Sequence, residues 1–166
     1  PELRAFSREV GKTVFFGVRS DHEVVYICKF EPENPVITTA TVGTKNPMYC
    51  TSLGKAILAY TDEETRQQVI SRIHFRQKTS RTIMTREGLE RELEQVKKQG
   101  YALDAREMEE HMECVGAPVF GPDGSVMGAI SLSSLYKPSE DYEALGRTVR
   151  KKAEEVSGLL GFLGKR

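Results

Sequence analysis

Leu3, Phe6 and Val10 recur at helical spacing and stop at Gly11, which predicts the tail of a helix. The pattern then changes to strand type. Residues 13–18 (TVFFGV) and 23–30 (EVVYICKF) are rich in β-branched and aromatic side chains, and the polar Ser20-Asp21-His22 between them predicts an antiparallel hairpin. Pro32 and Pro35 interrupt the chain, and residues 36–42 (VITTATV) predict a third strand. Leu53, Ala56, Ile57 and Tyr60 follow Thr51-Ser52 in the i, i+3, i+4, i+7 order of a short buried helix. Thr61 and Glu64 have the spacing of a capping box and predict a second helix through Ile73. Thr85 caps a third, carrying Leu89, Leu93 and Val96. Gly100 ends it, with Lys97 and Lys98 in the last turn where the helix dipole favours cations. Residues 101–103 predict a short strand. Residues 115–120 and 125–133 flank the turn Gly121-Pro122-Asp123-Gly124 and predict a second hairpin. Tyr142, Leu145, Val149, Ala153, Val156, Leu160 and Leu163 form one stripe of a long C-terminal helix. The order predicts an α+β domain, a central antiparallel sheet flanked by helices.

Composition narrows the function classes. The 166 residues, 39% hydrophobic, suffice for one core. Lys+Arg and Asp+Glu are 24 each, so the chain has no net electrostatic pull towards nucleic acid or anionic lipid. Near-zero net charge favours self-association. No apolar run reaches the roughly 18 residues that span a bilayer, so no membrane partner is expected. Residues 1–12 are mixed and charged, unlike a signal peptide. The start at Pro1 predicts a piece of something longer. Cys28, Cys50 and Cys114 are odd in number and widely spaced, which fits a reducing cytoplasm better than a disulfide framework.

The most reactive stretch is residues 104–114, with six charged side chains, His111, two methionines and Cys114 between two predicted strands. His111 and Cys114 form one H-x-x-C, short of the three or four ligands of a zinc site, and a solvated loop with a half-buried cysteine is the commoner arrangement. Cys114 as a nucleophile needs a base; His111, His22 or His74 are candidates, but a buried structural thiol is the usual fate beside an apolar strand. Adjacent Glu109 and Glu110 point apart more often than together. If Ser52 caps the helix at Leu53, the free N–H groups of that first turn favour an anion, such as a ligand carboxylate, although plain capping explains the serine equally well. Ser131 and Ser133 share one strand face among apolar neighbours, so burial would leave their hydroxyls in need of partners. No glycine-rich phosphate loop occurs, and no cofactor is expected.

"TSLGKAILAY" (51–60), "GYALD" (100–104) and "CVGAPVFGPDGSVMGAISLS" (114–133), in that order, resemble the effector-binding domain of the IclR family of bacterial transcription regulators. The resemblance implies a GAF-like fold with a small-molecule pocket on one side of the sheet. It implies that residues 1–12 end an interdomain linker helix, that 13–166 form the effector-binding domain, and that DNA is bound only by a winged helix-turn-helix outside this chain. It implies pocket positions at Ser52, Leu53, Gly54, Asp104, Met112, Cys114, Ser131 and Ser133. Two positions depart from the family pattern: His111 and Gly116 stand where glycine and alanine are usual. His111 is expected to contact or gate the ligand, and a protonated imidazole there would make an acid bind more tightly as pH falls. The expectation is a non-enzymatic, cytoplasmic sensor of a small organic acid that self-associates into dimers or tetramers. The alternatives are a GAF-like thiol-dependent enzyme, which the wide cysteine spacing disfavours, and a dimerisation module with a vestigial pocket.

Overall fold

The computed structural model describes residues 1–164. Along the chain lie α1 (Glu2–Val10), β1 (Thr13–Ser20), β2 (Glu23–Phe30), β3 (Lys45–Pro47), α2 (Ser52–Tyr60), α3 (Glu63–Ser71), α4 (Arg86–Gln99), β4 (Ala102–Ala105), β5 (Met112–Phe120), β6 (Val126–Leu135) and α5 (Tyr142–Leu159). The strands form one antiparallel sheet in the order β3-β2-β1-β6-β5-β4. Both expected hairpins are present, and β1 pairs with β6 to join them at the centre.

Strand alternation divides the core in two. Val14, Val115, Ala117, Val119, Ile130 and Leu132 face α1 and α5, where Phe6, Val149 and Ala153 cover them. Phe15, Ala129, Ser131 and Ser133 fall on the opposite face, towards α2. Eight of the nine residues of α2, Ser52 to Ala59, are buried between the sheet and α4. Its side chains are apolar nearly all round, as a helix in that position requires.

Three local expectations are corrected. Residues 36–42 form no strand. Pro32 and Pro35 remove amides that a ladder would use, Ile37 is 97% exposed, and the segment arches over the sheet until Gly43, at φ 91°, turns it back. Only Lys45–Pro47 pairs with β2. The cap of α3 is Asp62, which accepts the Thr65 amide at 2.9 Å, while Thr61 terminates α2. The C-terminal helix ends at Leu159, so the exposed Leu160 and Leu163 do not extend its buried stripe. Thr85 and Gly100 cap α4 at its two ends as expected, Gly100 in the left-handed conformation at φ 83°.

Candidate functional site

The floor of the site is the first turn of α2. Thr51, not Ser52, is the N-cap: its hydroxyl accepts the Gly54 amide at 3.2 Å and donates to the Pro47 carbonyl at 2.7 Å. The Lys55 amide bonds the Thr51 carbonyl. Ser52 and Leu53 are the first two helical residues, and their amides find no acceptor among the described residues, as the start of a helix dictates. The Ser52 hydroxyl is free of capping duty and faces the sheet.

The wall comes from strand register. Thr13 opposes Ser133, Ser133 opposes Cys114, and Cys114 opposes Asp104, which makes one polar row across β1, β6, β5 and β4. The Cys114 thiol donates to the Ser133 hydroxyl at 3.2 Å. Two residues along, about 7 Å away, a second row runs Phe15, Ser131, Gly116 and Ala102. A Cβ on Gly116 would lie 3.0 Å from the Ser52 carbonyl carbon and oxygen. Glycine at this position lets the start of α2 lie close against the sheet.

Two segments roof the site, the arch of residues 31–44 and the turn between β4 and β5. Thr39 donates to Glu109 across them at 3.0 Å, and the Cys50 thiol contacts the Met108 sulfur at 3.5 Å. The pocket between these walls has a cavity volume of about 50 Å³, within about 510 Å³ of space that includes its open mouth. Ser52, Leu53, Asp104, Met112, Cys114, Ser131 and Ser133 all line it.

Gly54 and His111 do not. A Cβ on Gly54 would sit 2.3 Å from the Met48 Cα, so this glycine serves a close backbone approach behind the pocket. Gly54→Ala is therefore expected to destabilise the domain by more than the roughly 1–3 kcal/mol of ordinary overpacking. Urea unfolding measures this. His111 is exposed at the tip of the β4–β5 turn, where its carbonyl accepts the Tyr136 amide. The chain turns back into β5 directly after it, so Met112 and Cys114 face inward while the imidazole does not.

Glu109 lines the pocket from its exposed roof, and the buried charge of the site belongs to Asp104. It is 4% exposed. Burial, reinforced by the neighbouring Glu107 carboxylate, pushes it up to about 7 against the opposing influence of Lys55 and of the Glu107 and Met108 amides that it accepts. The thiols of Cys50 and Cys114 are both raised by burial, Cys50 to about 12, so neither is a thiolate near neutrality.

Other lining residues escaped the sequence reading: Phe15, Tyr26, Thr38, Thr39, Asn46 and Met108. Asn46 donates to the Tyr26 hydroxyl at 3.1 Å. A bulge between Phe16 and Gly17 sets the register of β1 against Tyr26, and short-range pattern gives no sign of it. Lys55 also went unremarked. It lies behind the pocket, fully buried, with its ammonium on Glu107 (2.9 Å), Glu92 (3.0 Å) and the Leu103 carbonyl (2.5 Å). Desolvation pulls this lysine down, but Glu107 and Glu92 together outweigh it and hold the ammonium above its ordinary value. A lone cation in an apolar helix was the available signal, since it must find an anion.

The family of the bacterial transcriptional regulator IclR C-terminal domain matches residues 1–158. The chain belongs to this family. It is 30% identical over 163 residues to the HTH-type transcriptional regulator KdgR of Escherichia coli K12, covering 97% of this chain and 62% of that protein. It is 33% identical over 141 residues to the HTH-type transcriptional regulator XynR of the same organism, covering 85% and 56%. The crystal structure of the Thermotoga maritima IclR superposes with a TM-score of 0.90 at 32% identity, over 97% of this chain and 66% of that one. This IclR-type domain thus spans less than two thirds of the length of these two curated relatives. No helix among its described residues is long and apolar enough to cross a membrane.

Proposed function

We propose that this domain senses a small organic acid, whose carboxylate lies at the start of α2 and whose hydroxyl groups meet the polar row of Ser133, Cys114 and Asp104. The observation that carries this reading is the pair of unpartnered amides of Ser52 and Leu53 at the pocket floor, an anion site built from backbone alone. Asp104 limits the ligand class: an ionised carboxylate there repels an acid unless a ligand hydroxyl donates to it. Buried, protonated thiols favour a binding pocket over a thiol-dependent enzyme.

The relatives are named HTH-type regulators and are longer than this chain. In the proposed whole protein, residues 1–12 end a linker helix and residues 13–166 form the sensor. A DNA-binding domain reads the state of the sensor through α1, which packs on β1 and β2 on the face of the sheet opposite the pocket. The acid shifts the equilibrium between two states only by its differential affinity for them.

A thermal-shift screen of small carboxylates against their amides tests the proposal. Selected acids raise the melting temperature by mass action and the matching amides do not; equal shifts would remove the anion site. Ser131→Ala with Ser133→Ala is expected to weaken the best acid by about 1 kcal/mol per lost hydrogen bond. Unchanged calorimetric affinity would take these serines out of the site. Self-association into dimers or tetramers is proposed as well; a monomer in sedimentation at tens of micromolar would count against it.

A further inference from the structure

Lys55 lies one turn after Ser52 on α2, and its side chain does not line the pocket. Its ammonium instead ties α2 to three other pieces of chain: Glu92 on α4, Leu103 on β4 and Glu107 in the turn after β4. Glu107 has a second task. Its carboxylate accepts the Ala105 amide at 2.9 Å, while its own amide donates to Asp104 at 2.7 Å. The carboxyls of Asp104 and Glu107 therefore clasp the same short turn from opposite ends.

That turn has little freedom to relax. From outside, Arg81 donates to the Ala105 carbonyl at 2.6 Å, Thr79 to the Arg106 carbonyl at 2.7 Å and Thr82 to the Glu107 carbonyl at 2.7 Å. The Asp104 and Glu107 carboxyls, tied to one turn by these bonds, cannot separate to relieve their repulsion. Other titratable groups facing Asp104 are Tyr26 on β2, Cys50 before α2 and Cys114 on β5, and burial keeps all three protonated and neutral. Glu107 and Lys55 are left as the charges that act on Asp104 directly, with Glu92 across the lysine.

We infer that Lys55 and Glu107 are positioning residues of the pocket: their ion pair locks the first turn of α2 to the Asp104 turn, and the balance of their charges decides whether Asp104 meets a ligand as acceptor or as donor. The inference deepens the reading of the pocket as a ligand site and rests on it for its functional meaning. A sensor so built chooses between acids by hydroxyl placement when Asp104 is ionised and loses that choice when it is protonated.

Carboxyl-carbon NMR titration of the chain, with the Asp104 signal assigned by its loss in Asp104→Asn, tests this without a ligand. Glu107→Gln keeps the shape and leaves one oxygen to accept the Ala105 amide and the lysine, but it gives up the second acceptor to Lys55 and removes the negative neighbour. Its Asp104 midpoint is expected to fall by about one pH unit. Lys55→Met, where it folds, moves the midpoint the other way. In the unsubstituted chain, the amide proton of Glu107 titrates with the same midpoint as the Asp104 carboxyl. An Asp104 midpoint unmoved by a folded Glu107→Gln, or moved upward, overturns the inference. So does a Glu107 amide that ignores the titration, the readout that serves if Glu107→Gln does not fold. A failed acid screen would sink the proposed function and leave these titrations unaffected, so the two failures are distinguishable.

Discussion

Lys55→Met is expected to lower the stability of the domain by about 3–5 kcal/mol, the usual cost of removing one partner of a buried ion pair. Methionine fills nearly the same space, so packing contributes little. The loss comes from Glu107, 5% exposed, which keeps its bond to the Ala105 amide but loses the only cation within reach of it among the described residues. The Leu103 carbonyl loses the ammonium too. Since a domain of this size is stable by about 5–15 kcal/mol, the variant sits near the limit of folding. Urea unfolding at pH 7 measures the loss. Glu107→Gln in the Lys55→Met background recovers part of it by removing the stranded charge. The contribution of Lys55 also has a sign in pH. Its folded-state value is raised, so its stabilisation is complete below the ordinary lysine value and lost as pH rises through the folded one. A loss below about 1 kcal/mol would mean that the pair is no stronger than a surface one.

The second large effect concerns Asp104 and pH. With its carboxyl pushed up to about 7, the pocket wall is largely neutral at pH 6 and largely charged at pH 8. An acid that offers Asp104 no hydroxyl meets a repelling charge above that midpoint. Its dissociation constant should then rise by up to about tenfold per pH unit above 7, the limit set by uptake of one proton on binding. Asp104→Asn should flatten the dependence. The same group affects stability with the opposite sense to an ordinary salt-bridged aspartate. Its folded value lies above its unfolded one, so its favourable contribution is complete below about 4 and lost as pH rises through 7. Calorimetry at pH 6, 7 and 8 on both chains measures the binding effect, and an Asp104→Asn chain with the parent's slope would place the titrating group elsewhere. His111, expected from sequence to supply this dependence, is exposed at the turn tip and outside the wall.

Why was Asp104 harder to read than the serines? Period-two alternation on β6 puts Ser131 and Ser133 on one face whatever the rest of the chain does, and the hairpin sets them opposite Gly116 and Cys114. The two hairpins and the caps at Thr85 and Gly100 were legible for the same reason: each depends on contacts a few residues apart. The unusual state of Asp104 depends on its burial and then on Glu107 and Lys55, which lie on the following turn and on α2 and meet only after folding. Gly54 shows the converse limit. Its place in a recognisable block predicted a ligand contact, yet it is there because the Met48 backbone passes 2.3 Å from where its Cβ would be. Residues 36–42 suggest a strand because β-branched residues favour strands locally, and only the sheet can say that its edge is already taken by Lys45–Pro47.

The central claim is that an acid binds at the backbone start of α2. Amide proton and nitrogen shifts of Ser52 and Leu53, followed while the chain is titrated with acids selected by thermal shift, test it most directly. The account predicts that both amide protons move downfield, saturating at the calorimetric dissociation constant, and that the matching amide compounds leave them in place. Saturable binding of an acid that leaves Ser52 and Leu53 unmoved while other amides shift would contradict it.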